Sequence, residues 1–218
     1  MRIACVGYRN WSLNIYDRLA ASTDHTFLIF RSKAQFNIEA LADFKPDFVL
    51  FYGWSWIVPT DILLSYICLM LHPSKLPRYR GGSPIQNQII AGETNSSVSL
   101  FIMSEELDGG DLVGQCDLSL VGTIDDIFKR IEDVGVELTL DIFKNGLKPE
   151  PQDNSSATFC KRRTPYESEI TAEELASMPA EYLYNKIRML ADPYPNAYIL
   201  AADGIRLMIT AAYIERGI

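Results

Sequence analysis

Residues 67–90 read ICLMLHPSKLPRYRGGSPIQNQII, and this stretch decides the fold. It opens with five apolar residues, 67–71, that show no polar alternation. A strand of that kind is buried on both faces, as in a parallel sheet layered between helices. The strand runs directly into His72. Pro73 and Pro77 then stiffen the exit, and Gly81–Gly82 let the backbone turn sharply. Ser83 and Pro84 suit the N-cap and first position of a following helix.

The same pattern extends outward on both sides. Residues 2–7, 26–30 and 48–53 form three further short apolar runs. Trp11, Ile15 and Leu19 recur at helical spacing after the first, and 36–44 reads as a helix after the second. Lys45-Pro46-Asp47 breaks the chain before FVLFYG. Beyond the quoted stretch come strands at 98–103 and 112–120, joined by the turn SEELDGGD. Thr123 then caps a long helix with Ile127, Ile131, Val134, Leu138 and Ile142 on one face, ending at Asn145–Gly146. Strands alternating with helices predict an α/β fold: a Rossmann-like, mostly parallel sheet with helices on both faces. Pro149, Pro151 and the polar run QDNSS mark a linker, which divides the chain into a main domain, 1–150, and a small C-terminal α+β appendage, 151–218. The appendage carries a helix at 179–191, the turn PYPNAY, and two strands at 197–201 and 205–212.

Composition bounds the function. The 218 residues are 48% apolar and 22% charged, ordinary values for a globular chain. With 28 acidic and 20 basic side chains the formal net charge is −8, which argues against nucleic acid as the main partner and favours a small molecule. MRIACVGY enters a strand at once, and no run is long enough to cross a bilayer; the expected location is the cytoplasm. Cys5, Cys68, Cys116 and Cys160 lie far apart without a CxxC pair, so they read as thiols rather than disulfides or zinc ligands. With two histidines in the chain, no metal site is expected. Gly7 alone follows the first strand, so the GxGxxG dinucleotide fingerprint is missing.

Ligands of such sheets collect at the carboxyl ends of strands, here after Phe51 and Leu71. His72 leaves a buried strand at that edge. By position alone it reads equally as a hydrogen-bonded strand-end histidine. A rigid loop delivering a helix N-terminus beside it gives the site a means of stabilising developing negative charge.

HPSKLPRYRGGSPIQNQI resembles the HxSLLPxxRGxxPI motif of the 10-formyltetrahydrofolate-dependent formyltransferases, the family of methionyl-tRNA, purine-pathway and sugar N-formyltransferases. LDGGDLVGQ resembles that family's LDxGDI segment, with Asp108 at the catalytic aspartate position and at the spacing from His72 found in the tRNA and sugar branches. CKRRTPYESEI and IRMLADPYPNAY are similar to the RRTPxD and RAxxxPxPGA segments of the same branches. The resemblance implies a folate co-substrate, 10-formyltetrahydrofolate, with His72 and Asp108 catalytic. Attack of a neutral amine on the formyl carbon creates an oxyanion and frees a proton; His72 takes that proton or, as imidazolium, steadies the oxyanion, while Asp108 orients the ring. Asp108 also reads as a residue capping its own turn, and Asp111, Glu105 and Glu106 as turn and solvent residues.

The resemblance further implies a pterin pocket at FYGWSWIVP, with Tyr52, Trp54, Trp56, Ile57 and Asp108 on the folate; the two tryptophans read equally as core aromatics. Tyr79 and Arg80 fall near the expected acceptor amine, and Arg162 and Arg163 read either as diphosphate ligands or as linker charge. One position departs from the family: Met70 stands where an asparagine holds the formyl oxygen, and a thioether donates no hydrogen bond. Positions 70 and 72 share a face of the strand, so the missing donor falls to Gln86, Asn87 or a backbone N–H. The acidic balance and short appendage disfavour tRNA, and the C-terminal segments disfavour the purine branch. A nucleotide-linked amino sugar remains as the expected acceptor, with a homodimer suggested by the apolar C-terminal strands. A formyltetrahydrofolate hydrolase and a non-catalytic folate- or nucleotide-binding protein are the alternatives on the same fold.

Overall fold

The computed structural model describes residues 1–190 and 194–215. Strands β1 (Arg2–Val6), β2 (Thr26–Phe30), β3 (Phe48–Leu50) and β4 (Cys68–His72) form the parallel half of a six-stranded sheet. They are connected through helices α1 (Asn10–Ser22), α2 (Ile38–Phe44) and α3 (Thr60–Ser65). A two-residue strand β5 (Arg80–Gly81) and helix α4 (Pro84–Ile90) follow. Next come β6 (Asn95–Ile102), β7 (Leu112–Ser119) and helix α5 (Ile124–Asn145). The sheet order is β2-β1-β3-β4-β6-β7, with β6 antiparallel to both β4 and β7.

Successive side chains of a strand point to opposite faces, and here both faces are covered. Ile3, Cys5, Leu50, Leu69 and Leu71 pack with Ile15 and Leu19 of α1 and Ile127 and Ile131 of α5. Ala4, Val6, Val49 and Phe51 pack with Leu41 of α2 and Ile62 of α3. Two-sided burial is why these strands contain no alternating polar residues, and it confirms the Rossmann-like arrangement with helices on both faces. Helix α5 starts in a capping box, in which Thr123 and Asp126 satisfy each other's backbone N–H groups, and ends where the Gly146 N–H reaches the Ile142 carbonyl at 2.9 Å.

Beyond residue 150 the chain returns to the loop that follows β4. Strand β8 (Phe159–Cys160) pairs in parallel with β5, and Glu150 bridges to Leu112. Helices α6 (Ala172–Ser177) and α7 (Ala180–Arg188) and the hairpin β9 (Ala197–Leu200)–β10 (Arg206–Ile209) complete the α+β segment. Ile170, Ile187, Met189, Leu190 and Ala197 join the same core as β1 and α5. The end of the expected helix at Ala191 and the first residue of the PYPNAY turn, Pro193, lie outside the described residues. All four cysteines are free. Among the described residues no helix is long and apolar enough to cross a membrane.

Leu69 is fully buried at the centre of the sheet, whereas Leu207 on the hairpin is 64% exposed. Leu69→Ala is expected to lower stability by about 2–5 kcal/mol, and Leu207→Ala by about 0.5 kcal/mol or less. Urea midpoints at unchanged m-value measure both.

Candidate active site

Strand β4 carries His72 to the carboxyl end of the parallel strands, where its side chain is 6% exposed. The loop that follows is held from several sides. Ser74 Oγ donates to the Arg78 carbonyl (2.8 Å), Ser99 Oγ of β6 to the Ser74 carbonyl (2.6 Å), and Gln88 Nε2 of α4 to the Pro73 carbonyl (2.9 Å). The loop curls back until the Tyr79 carbonyl lies 2.8 Å from His72 Nε2. A carbonyl only accepts, so Nε2 carries a proton and Nδ1 is the nitrogen left to exchange one.

Nδ1 faces Asp108, with Oδ2 3.6 Å away and a side chain only 10% exposed. Asp108 occupies the turn between β6 and β7 at φ +49°, and its Oδ2 accepts a 2.8 Å hydrogen bond from the Gly81 N–H. Two glycines make that approach possible. A Cβ on Gly81 would lie 2.4 Å from the Cys160 carbonyl oxygen, and one on Gly110 would lie 1.8 Å from that of Ile102. The fold thus brings together the two residues that the sequence pairs at a distance.

Both open into one cavity of about 880 Å³ at the carboxyl edge of the sheet. Because the cavity lies over the strand ends, it takes one wall from each core. Trp54, Val58, Leu63, Met70 and Met103 come from the α2–α3 side; Trp11, Ile85, Leu190 and Tyr194 come from the α1–α5 side. Met70 lines the cavity together with His72, as two residues apart on a strand require. Arg9, Arg162 and Arg163 also line it. The Arg9 guanidinium lies over the rings of Tyr8 (4.7 Å) and Tyr194 (5.3 Å). Arg163 approaches Glu167 at 3.7 Å, while its buried Nε has no hydrogen-bond partner among the described residues. Burial raises the phenol of Tyr194 above its ordinary range, so this side chain stays a neutral hydroxyl.

The other expected contacts divide. Trp54, Trp56 and Ile57 line the cavity, with the two indole rings 4.7 Å apart. Tyr52 does not: it shares the face of Leu50, and its hydroxyl meets Thr139 of α5 at 2.9 Å in the core. Gln86 lines the cavity at 2% exposure beside the Tyr194 hydroxyl, and neither atom of its amide is engaged in a hydrogen bond of ordinary geometry among the described residues. Asn87, one position on and turned about a quarter of a helix away, spends its amide on the carbonyls of Gly82, Ser83 and Lys161 and ties down the start of α4. Tyr79 contributes its carbonyl to His72, while its hydroxyl donates to Glu93 at 3.1 Å. Arg80 is fully buried, bound to Glu106, Gln152 and Asn154, and does not line the cavity. Asn87, Tyr79 and Arg80 therefore build the loop rather than line the cavity. Arg9 and Tyr194 were not singled out by sequence; Arg9 follows β1 closely, and the strand-end rule that selects His72 applies to it too.

The pattern of the formyl transferase family matches residues 18–142. The methionyl-tRNA formyltransferase of Campylobacter curvus (strain 525.92) is 36% identical over 159 residues, which cover 71% of this chain and 51% of that protein. The structure of a methionyl-tRNA formyltransferase from Clostridium thermocellum agrees with a TM-score of 0.90 at 29% identity, over 99% of this chain and 94% of that one. A sugar N-formyltransferase from Shewanella sp FDAARGOS_354 shares the fold with a TM-score of 0.75 at 16% identity, over 99% of each chain. The chain spans about half the length of the curated relatives it matches. The family match contains both the His72 loop and the Asp108 turn, and the chain belongs to the formyl transferase family.

Proposed function

We propose that this protein transfers a formyl group from 10-formyltetrahydrofolate to the amine of a nucleotide-linked amino sugar. The observation that carries the reading is the convergence of His72 Nδ1 and the Asp108 carboxylate on a cavity lined by apolar residues from both cores and by Arg9, Arg162 and Arg163. A volume of about 880 Å³ lies near the upper end for small-molecule sites, which suits two substrates side by side. The apolar wall of Trp54, Val58, Met70 and Met103 fits a flat heteroaromatic ring, and the folate co-substrate supplies an activated formyl carbon there. Nδ1 of His72 takes the proton released by the attacking amine and returns it to the departing N10 as the bond between N10 and the formyl carbon breaks, which frees tetrahydrofolate. The Asp108 carboxylate, held by the Gly81 N–H, stabilises the imidazolium that results.

Met70 leaves the formyl oxygen without the usual amide donor. Gln86 Nε2 is a buried, uncommitted donor on the cavity wall and takes that place. Arg9, Arg162 and Arg163 suit a diphosphate, because guanidinium groups bind phosphate oxygens in pairs. The overall excess of acid over base is poorly matched to an extended tRNA surface. Homodimerisation through the β9–β10 hairpin, whose Leu200, Ile205 and Leu207 are exposed, and a cytoplasmic location belong to the same proposal.

Incubation with 10-formyltetrahydrofolate and a panel of nucleotide-linked amino sugars should give a product heavier by one CO. Formylation of methionyl-tRNA alone, or folate deformylation that needs no amine, would overturn the acceptor assignment.

His72→Ala and Asp108→Asn should each lower kcat by about 10²–10⁴-fold, read as the rate of tetrahydrofolate release. Gln86→Leu should lower kcat by about 10²–10³-fold with KM little changed, the effect of deleting one oxyanion donor. Adding Met70→Asn to Gln86→Leu should recover part of that loss. A large gain from Met70→Asn in the otherwise unaltered protein would show that Gln86 does not fill the role.

A further inference from the structure

Gln152 lies in the polar run after Pro151, well removed in sequence from both His72 and Asp108, and it does not line the cavity among the described residues. Its amide nevertheless joins the catalytic turn to the loop of His72. Nε2 donates to the carbonyls of Asp108 (2.9 Å) and Gly110 (2.7 Å), so both amide protons go to the turn. Oε1 accepts from Nε (3.2 Å) and Nη2 (2.8 Å) of Arg80. Two acceptors on one side and two donors on the other leave a single chemically sensible orientation for the amide. Arg80 is itself immobilised: it is fully buried, and Nη1 pairs with Glu106 at 2.8 Å while Nη2 also reaches Asn154 at 2.7 Å.

The turn requires such support. Asp108 has a left-handed backbone, uncommon for a non-glycine residue, and such conformations persist when the surroundings over-determine them. Three consecutive residues carry the whole registration. The Tyr79 carbonyl holds His72, the Arg80 side chain holds Gln152 and through it the Asp108 backbone, and the Gly81 N–H holds the Asp108 carboxylate. Strand β5, formed by Arg80 and Gly81, is fixed in turn by pairing with β8, immediately downstream of the Gln152 segment.

We propose that Gln152, anchored by the buried Arg80 guanidinium, is a positioning residue that sets the Asp108 carboxylate against His72. The kinetic part of this inference rests on the formyl transfer proposed above; the positioning itself does not. Two variants isolate it. Gln152→Glu keeps an acceptor for Arg80 and loses both donations to the turn; Gln152→Met loses the donations without adding charge. In both, kcat should fall by about 10- to 100-fold, the usual cost of removing a group that orients a catalytic one, with KM for both substrates changed by no more than about twofold. In an Asp108→Asn background the same changes should cost almost nothing further, because residues acting as a unit are not additive.

A second readout needs no acceptor. The chain has two histidines, His25 and His72, so the ring ¹⁵N shifts of His72 are easily assigned; both variants should move them in the sense that Asp108→Asn does. Unchanged His72 shifts, a full additional loss in the Asp108→Asn background, or losses that track unfolding in both variants would overturn the inference. If the unaltered protein formylates none of the amines offered, the proposed reaction fails, and the His72 shifts still decide the role of Gln152.

Discussion

The hydrogen bond between His72 Nε2 and the Tyr79 carbonyl, 2.8 Å long, governs how the rest of the site is used. Because the carbonyl cannot donate, one imidazole nitrogen is committed as a donor and only Nδ1 is left for proton exchange. That nitrogen faces the Asp108 carboxylate across 3.6 Å, longer than a hydrogen bond, inside a cavity rather than within the packed interior. An imidazole held this way donates through one nitrogen and presents the other to a carboxylate. The geometry depends on a loop that curls back on its own strand, so the polar contacts of Ser74, Ser99 and Gln88 with that loop help to hold the imidazole in place.

The supporting interactions serve precision more than stability. The Arg80–Glu106 pair sets a fully buried guanidinium against a carboxylate that is 51% exposed, so removing the carboxylate would strand a buried positive charge. Its value here is directional: the planar guanidinium presents several donors at fixed angles, and a single arginine thereby orients Glu106, Gln152 and Asn154 together. The sheet and its two cores supply the folding energy, and the network at the strand ends spends little of it while fixing side chains around the cavity.

Much of this was legible in the sequence, for identifiable reasons. Strands buried on both faces lack polar residues, so β1, β3 and β4 declare themselves and imply helices on either side. His72 stands out because it leaves a buried strand into a loop shaped by Pro73, Pro77 and Gly81–Gly82, whereas Asp108 is singled out by the resemblance of LDGGDLVGQ to the family's segment. Tyr52 was misplaced although parity applied to it: it lies two residues beyond Leu50 and faces the same core. Gln86 and Asn87 were inseparable, since adjacent helix positions differ by rotation alone and the helix phase is set by packing. Arg80 and Gln152 were illegible as partners because their meeting depends on β5 pairing with β8, a contact across many residues that no local pattern announces. Arg80 pointed to substrate by its position in the motif, and only the fold shows that its charge is turned inward.

¹⁵N NMR of the histidine rings observes the proton on His72 Nε2 directly. At neutral pH the signal of His72 should report a protonated Nε2. A His72 ring with a bare Nε2 and a protonated Nδ1 would mean that the Tyr79 carbonyl does not hold it, and the arrangement described around that bond would not stand.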